Sequence, residues 1–324
     1  PVIWVKASDL EDSSPQHVIQ SLSDVMRERG LSRKIALAMV DGDSTSLYKY
    51  RSGVTYNLIF IGVKDQERIL NSRRPSGKLL DFISAKIPIS NLSPYETRAP
   101  VTGSRFFGRE QEIARIISNP DTNHAILGIR RIGKTSLLRE IERLLMEGED
   151  SAHVIYLECS DLLDTDDYVR EVVRKLNPRE LTRLHMQKYV FFFPDFLERM
   201  SRQNKTKIIF LLDEVDNLVI MQRGNWDLFR MLRASANKGA CQYIIAGFRE
   251  AMREQYSLDS PFYNFAQEIR LSEFSRQQAH DLIVTPMENL RVRFKNKEEV
   301  VSRIYEETSG QPNLIQYYLS LIHI

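Results

Sequence analysis

Residues 128–135 constrain the fold more than any other part of the chain. They read Gly-Ile-Arg-Arg-Ile-Gly-Lys-Thr and match the phosphate-loop pattern G-x-x-x-x-G-K-T. The apolar run Ala125–Leu127 precedes the loop and predicts a buried strand. Apolar residues then recur at helical spacing, at Leu137, Leu138, Ile141, Leu144 and Leu145. Because the pattern lies between a strand and a helix, it predicts a loop that binds phosphate groups.

The residue types in this loop suit a nucleoside triphosphate with its metal ion. Gly128 and Gly133 allow the backbone to turn so that amide groups face one anion. We expect Lys134 to reach the β- and γ-phosphates and the Thr135 hydroxyl to ligate Mg²⁺. A chance match in a surface loop is the alternative. The predicted phosphate-binding residues are Gly128, Ile129, Arg130, Arg131, Ile132, Gly133, Lys134, Thr135 and Ser136.

A second motif ends a predicted buried strand. The apolar run Ile208–Leu212 is followed by Asp213-Glu214-Val215-Asp216. In open α/β sheets, ligands bind at the carboxyl ends of the strands. Asp213 is therefore expected to hold Mg²⁺ through its water shell, and Glu214 to orient or deprotonate the attacking water. Asp216 is left without a chemical role, since it also suits a cap of the helix that follows or an ion pair with a neighbouring basic residue.

Composition agrees with a nucleotide-driven protein outside the membrane. No apolar run approaches the roughly 20 residues that a bilayer crossing needs. Cys159 and Cys241 each lie in an apparent strand, which predicts core filling in a reducing, cytoplasmic compartment rather than a disulfide. A net charge of +2 neither favours nor excludes nucleic-acid binding. The apolar start at Val2 and the helical pattern running to Ile324 predict a piece of a longer protein with further domains.

The pattern of elements predicts an α/β protein with four segments. A small α/β domain spans 1–92, an ordered linker 93–104, a P-loop core 105–274 and a helical lid 275–324. The first domain is predicted to contain strands at Val2–Val5, Ile35–Val40 and Leu58–Val63 and helices at Gln16–Arg29 and Lys78–Lys86. The predicted parallel core strands are Ala125–Leu127, His153–Glu158, Ile208–Leu212, Gln242–Ala246 and Glu268–Leu271. The predicted lid helices are Gln277–Val284 and Glu298–Thr308.

Three acidic residues of the first domain leave two interpretations open. Asp9, Asp41 and Asp43 follow predicted strands, which is consistent with a metal site at a sheet edge. Turn chemistry explains Asp41-Gly42-Asp43-Ser44 equally well. We favour turns, and a docking or oligomerisation role for this domain.

Several motifs together resemble those of STAND-type ATPases, the signal-transducing branch of the AAA+-like P-loop NTPases, close to archaeal and bacterial regulatory ATPases. The resemblance covers about residues 104–320. Its motifs are Phe106-Phe107-Gly108-Arg109-Glu110, the phosphate loop through Leu138, Asp213-Glu214, Ile244–Arg249, Ser260–Phe265 and Ser309-Gly310-Gln311-Pro312.

The resemblance implies roles for individual residues. Phe107 is expected to pack on the adenine, with Gly108 allowing its close approach, whereas Phe106 is expected in the core. Arg249 is expected to sense the terminal phosphate, and Pro312 to rest against the nucleotide from the lid. ATP is implied rather than GTP.

Glu214, Lys134 and Arg249 are thus the predicted catalytic residues. No arginine finger follows Tyr263, where relatives commonly continue with Gly-Arg, so hydrolysis is expected to be slow. Two functions follow: an ATP-controlled switch in signalling or defence that self-associates on ATP binding, or a constitutive ATPase that remodels or loads protein on nucleic acid.

Overall fold

Two sets of apolar strands build two separate parallel sheets. In the computed structural model, the described residues are 2–5, 14–28, 35–49, 57–86, 94–148, 152–181, 189–290 and 292–321. The chain divides into two compact units between Pro94 and Tyr95. We call them the amino-terminal unit and the ATPase unit.

The amino-terminal unit contains a three-stranded parallel sheet in the order β1-β2-β3. Its strands are β1 (Val2–Val5), β2 (Ile35–Val40) and β3 (Asn57–Ile61). Its helices are α1 (Pro15–Glu28), α2 (Thr45–Lys49), α3 (Val63–Leu70) and α4 (Pro75–Lys86). The strand predicted to continue to Val63 ends at Ile61, because the Val63 amide turns to the Gly42 carbonyl and begins α3.

The acidic residues of this unit support the turn interpretation where they are described. Asp43 Oδ1 accepts hydrogen bonds from the amide and the hydroxyl of Thr45, at 3.1 and 2.7 Å, at the start of α2. These bonds lower the pKa of Asp43. Asp9 lies outside the described residues. Among the residues that the structure describes, no group of three or more His, Cys, Asp or Glu side chains is placed to hold a metal ion.

The ATPase unit is built on a five-stranded parallel sheet, as predicted. Its strands are β4 (His124–Leu127), β5 (His153–Glu158), β6 (Ile208–Asp213), β7 (Cys241–Gly247) and β8 (Gln267–Arg270). They lie in the order β5-β6-β7-β4-β8. Every residue of β4, β6 and β7 is buried, as expected for parallel strands covered on both faces. This order brings the carboxyl ends of β4 and β6 to the same edge, with β7 between them.

Helices cover both faces of this sheet. They are α5 (Glu110–Ile117), α6 (Lys134–Glu147), α7 (Thr165–Leu176), α8 (Tyr189–Asn204), α9 (Asp216–Gln222), α10 (Asp227–Asn237) and α11 (Arg249–Gln255). On one face, Leu137 and Ile141 of α6 pack in one cluster with Ile126 and Leu211. Burying each such side chain contributes about 1.5–3 kcal/mol, so the sheet fixes the helix that carries Lys134.

Three helices form the lid: α12 (Arg276–Asn289), α13 (Lys297–Thr308) and α14 (Pro312–Leu321). They share a cluster that includes Leu282, Ile304 and Ile315. Ser275 and Gln278 form a capping box that fixes the start of α12. Both predicted lid helices are present, each extended at one or both ends. Within the described residues, no helix combines the length and the apolar content that spanning a bilayer requires.

Candidate nucleotide site

A cavity of about 490 Å³ opens at the carboxyl edge of the core sheet. Three parts of the ATPase unit line it: the phosphate loop, the lid and the chain before the core. The lining includes residues 96–101, Phe106, Phe107, Arg109, residues 131–136, Glu214, Phe274, Leu282, Pro312, Asn313 and Gln316. Its volume lies within the range of small-molecule and cofactor sites.

The phosphate loop lies between β4 and α6, as its sequence predicts. Gly133 has a φ of +103° and caps α6, a conformation that glycine adopts without steric cost. The positive end of α6 therefore begins beside the cavity, where it favours an anion. Thr135 lines the cavity and is half-buried. Of the other predicted loop residues, Arg131, Ile132, Gly133 and Ser136 line the cavity, whereas Gly128, Ile129 and Arg130 are not part of its lining.

Lys134 is buried and is held by its own loop. Its ammonium donates to the carbonyls of Gly128 and Ile129 at 3.0 and 3.1 Å. Burial lowers the pKa of Lys134, and the carboxylates of Glu214, Asp213 and Asp216 oppose this shift. The ammonium thus has two main-chain carbonyl partners within the loop.

Asp213, the last residue of β6, and Glu214, which follows it, lie in different environments. Asp213 is fully buried, and its carboxylate accepts from the Tyr156 hydroxyl at 2.9 Å and from the Glu214 amide at 3.0 Å. Glu214 lines the cavity with a φ of +52°, an uncommon conformation for a residue with a side chain. Burial raises the pKa of Glu214, Lys134 opposes the shift, and the Asp213 charge adds to it. A raised pKa suits a general base near neutral pH.

Three main-chain amides donate hydrogen bonds to the Asp216 carboxylate. The carboxylate accepts from the amides of Phe248, Glu250 and Ala251 at 2.6, 2.8 and 3.2 Å. It therefore caps α11, the helix after β7, rather than the helix that it begins. The interpretation of Asp216 as a cap was right in kind but placed it on the wrong helix.

Arg249 lies at the start of α11 with an exposed side chain. Its guanidinium stands 5.3 Å from the centre of the Phe248 ring. Arg249 is not part of the lining of the cavity at the phosphate loop. Its phosphate-sensing role stays a prediction.

The segment Phe106–Arg109 joins the core to the lid. Phe106 packs against the cluster that contains α6, and Phe107 against the lid cluster, while both line the cavity. Gly108 has a φ of +71°, and a β-carbon there would stand 3.0 Å from the side chain of Gln278. Gly108 thus permits the close approach of α12. The close approach of Phe107 to the base, which the resemblance implies, stays a prediction.

Arg109, for which the sequence predicts no role, connects the phosphate loop with the chain that leads into the lid. It is 4% exposed, and its guanidinium donates to the Ser272 carbonyl at 2.6 Å and lies 4.8 Å from the Phe274 ring centre. It also donates to the Ile132 carbonyl of the phosphate loop at 3.5 Å. Burial lowers the pKa of Arg109, and Glu112 opposes the shift. The Arg109 guanidinium therefore contacts both the phosphate loop and the chain that leads into the lid.

The segment 95–101 spans the cavity from lid to core. The Tyr95 hydroxyl donates to the Ile283 carbonyl at 2.7 Å, and the Glu96 amide donates to Gln316 of α14 at 2.9 Å. At its other end, the Val101 amide donates to the Ser136 hydroxyl at 3.2 Å. Ser136 thus holds this segment. Proline and hydroxyl content predicted an ordered linker here, but no local signal indicated these partners.

A family model described as an ATPase domain predominantly from Archaea matches residues 106–318, which is more than half of the chain. The chain belongs to this family and is a P-loop ATPase domain. None of the curated proteins compared with it matches.

Solved structures share this fold at low sequence identity. The Walker-type ATPase of Pyrococcus abyssi superposes with a TM-score of 0.54 and 18% identity, covering 69% of this chain and 70% of that one. The ADP form of the Aeropyrum pernix ORC2 protein has a TM-score of 0.52 and 14% identity, covering 69% of this chain and 64% of that one. The ADPNP–ADP complexes of ORC2 have a TM-score of 0.50 and 13% identity, covering 69% of this chain and 62% of that one. The chain thus spans less than two thirds of the ORC2 structures, and the likeness concerns the fold.

Proposed function

We propose that this chain binds ATP with Mg²⁺ in the cavity, hydrolyses it, and acts as a switch in which the nucleotide sets the position of the lid. The observation that carries this proposal is the shared lining: Lys134 of the loop, Glu214 directly after β6 and Pro312 of the lid face one cavity. A ligand bound there contacts core and lid at once. Such a ligand shifts the lid by its difference in affinity for the two lid positions.

The metal donors fit Mg²⁺. Thr135 offers a hydroxyl and Asp213 a carboxylate, which are the hard oxygen donors that Mg²⁺ prefers. Few protein ligands suffice, because Mg²⁺ keeps several waters and binds substrate phosphates. When bound, the ion would neutralise charge that develops on the phosphates.

Three residues of the chain would have separate roles in binding and hydrolysing the nucleotide. Lys134 would place a point charge at the β- and γ-phosphates, replacing its present carbonyl partners. Glu214, with its raised pKa, would accept the proton of the attacking water. Phe107 would pack against the base while touching the lid cluster, so base binding and lid position would be linked.

Substitution of Lys134 tests the site. Lys134→Ala is expected to weaken Mg-ATP binding by about 2–4 kcal/mol in calorimetric titration, since a charged partner of the phosphates is lost. Lys238→Ala, which removes a lysine outside the cavity lining, is the matched control and should bind Mg-ATP about as tightly as the parent. Equal affinity of parent and Lys134→Ala would contradict the site assignment.

The switch itself is tested by comparing ADP with a non-hydrolysable ATP analogue. Solution scattering and sedimentation of the full chain should show a different shape or a larger assembly with the analogue. Arg249→Ala should reduce that difference while leaving ADP affinity nearly unchanged, if Arg249 senses the terminal phosphate. Identical profiles with both nucleotides would contradict the switch. Turnover stimulated by DNA or RNA would favour a constitutive ATPase acting on nucleic acid.

A further inference from the structure

Tyr156 contacts the candidate metal ligand directly. It lies on β5, beside β6 in the sheet, and only 9% of it is exposed. Its hydroxyl stands 2.9 Å from Oδ2 of the fully buried Asp213. An ionised carboxylate only accepts hydrogen bonds, so the tyrosine hydroxyl is the donor.

The second oxygen of Asp213 is also held. Oδ1 accepts from the Glu214 amide at 3.0 Å. With a donor on each oxygen, the plane of the carboxylate is fixed before any metal arrives. Partners of this kind orient ligating carboxylates and strengthen metal binding.

Glu158 is a second possible acceptor for the hydrogen of the Tyr156 hydroxyl. It ends β5 in register with Asp213, and its Oε2 stands 3.2 Å from the Tyr156 hydroxyl. A phenol has one hydrogen, so it donates to one carboxylate at a time. The shorter distance and the burial of Asp213 favour Asp213 as the acceptor.

The ring of Tyr156 is fixed by the phosphate-loop helix. The guanidinium carbon of Arg139 on α6 lies 3.2 Å from the centre of the ring, as in a cation–π contact. Arg139 also pairs with Glu142 at 2.8 Å. The helix that carries Thr135, the expected metal ligand, therefore positions the tyrosine that holds Asp213, which is expected to bind the metal's water shell.

We infer that Tyr156 is a positioning residue for Mg²⁺, whose hydroxyl holds the Asp213 carboxylate in the orientation that binds the metal's water shell. This role rests on the proposed function, because the metal arrives with the nucleotide. Tyr156 acts through Asp213 and is not itself a ligand.

Tyr156→Phe tests this role, because it keeps the ring and its contact with Arg139 and removes only the hydroxyl. Mn²⁺ binding to the ADP-loaded protein, followed by electron paramagnetic resonance, is expected to weaken about tenfold. The Mg²⁺ concentration that gives half-maximal hydrolysis should rise by a similar factor. ADP affinity in excess chelator should stay unchanged, since the phosphate loop is intact.

Two comparisons separate positioning from folding. Tyr243→Phe removes the hydroxyl of a fully buried tyrosine on β7 that stacks on Phe210 at 5.0 Å, and it should leave Mn²⁺ affinity unchanged. In an Asp213→Asn background, Tyr156→Phe should have almost no further effect on Mn²⁺ affinity, because the hydroxyl acts through that carboxylate.

The outcomes distinguish this inference from the proposed function. Nucleotide binding by the parent together with equal Mn²⁺ affinity in parent and Tyr156→Phe would overturn the positioning role alone. An equal loss in Tyr243→Phe would also overturn it, because the effect would then be general. A parent protein that binds no nucleotide would overturn the proposed function and this role with it.

Discussion

The side-chain amide of Gln278 donates to the main-chain carbonyl of Gly108 at 2.8 Å, joining the first lid helix to the segment that enters the core. The same glutamine accepts from the Ser275 amide at 2.9 Å in the capping box of α12. The start of the lid is thus tied to the backbone conformation of Gly108, and a change at either residue should alter the other's surroundings.

Gly108→Ala is expected to destabilise the protein by about 1–3 kcal/mol, because alanine is strained at positive φ. Its β-carbon would also press on Gln278 at 3.0 Å. Urea unfolding measures the loss. Gly239→Ala is the control: φ there is +70°, but a β-carbon meets open space, so its loss should be smaller. Equal losses in both variants would show that contact with Gln278 costs nothing.

Glu214→Gln should separate binding from turnover. The amide keeps the shape of the side chain but cannot accept the proton of water, so phosphate release should fall by about 10²–10⁴-fold. Mg-ATP affinity should remain near that of the parent and the ATP-bound form should accumulate. Phosphate release at the parent's rate would remove Glu214 as the base.

Asp216→Ala should act on stability rather than on chemistry. It removes the acceptor of three amides at the start of α11, so the free energy of unfolding should fall by about 1–2 kcal/mol, the typical value for a lost cap. Asp216→Asn, which keeps one acceptor oxygen, should lose less. If the alanine variant unfolds like the parent yet cannot hydrolyse ATP, Asp216 has a chemical role instead.

His124 should make stability depend on pH. It is fully buried at the start of β4; burial lowers its pKa, and the charge of Arg115 acts in the same direction. The unfolded chain takes up this proton near pH 6.5, whereas the folded chain does so only at lower pH. The contribution of His124 to stability is therefore present above about pH 6.5 and is lost as pH falls through the folded pKa.

Urea unfolding at pH 7.5 and pH 5.5 checks this dependence. His124→Leu fills the same position without a titrating group, so its stability should fall less between the two pH values. An identical fall in parent and variant would assign the pH dependence to other groups.

Local sequence patterns predicted the elements of the ATPase unit well. The strands β4, β6 and β7 are mostly apolar runs, as expected for strands buried on both faces, whereas β8 reads Gln-Glu-Ile-Arg and only its Ile269 is buried. The phosphate loop was equally easy to recognise, because its pattern lies within eight consecutive residues. The apolar pattern at Leu58–Val63 predicted a strand that ends two residues too late, because Val63 suits a strand but begins α3.

Pairs of residues far apart in sequence escaped prediction. Gln278 and Gly108 are 170 positions apart, and Tyr156 and Asp213 are 57 apart. Neither tyrosine nor glutamine carries a local signal for such a partner. Arg249 lies outside the cavity lining, and the phosphate-sensing role that its motif implies stays a prediction.

The sequence by itself determined that the chain contains a phosphate loop, a buried strand ending in carboxylates and a helical lid, because each depends on residues close together in the chain. Only the tertiary structure decided the strand order β5-β6-β7-β4-β8, which puts Tyr156 beside Asp213, and the seating of α12 on Gly108. The strand order and the position of α12 depend on how entire sheet and helix faces pack against each other. Packing is a property of the assembled sheet and helices, and no single segment encodes it.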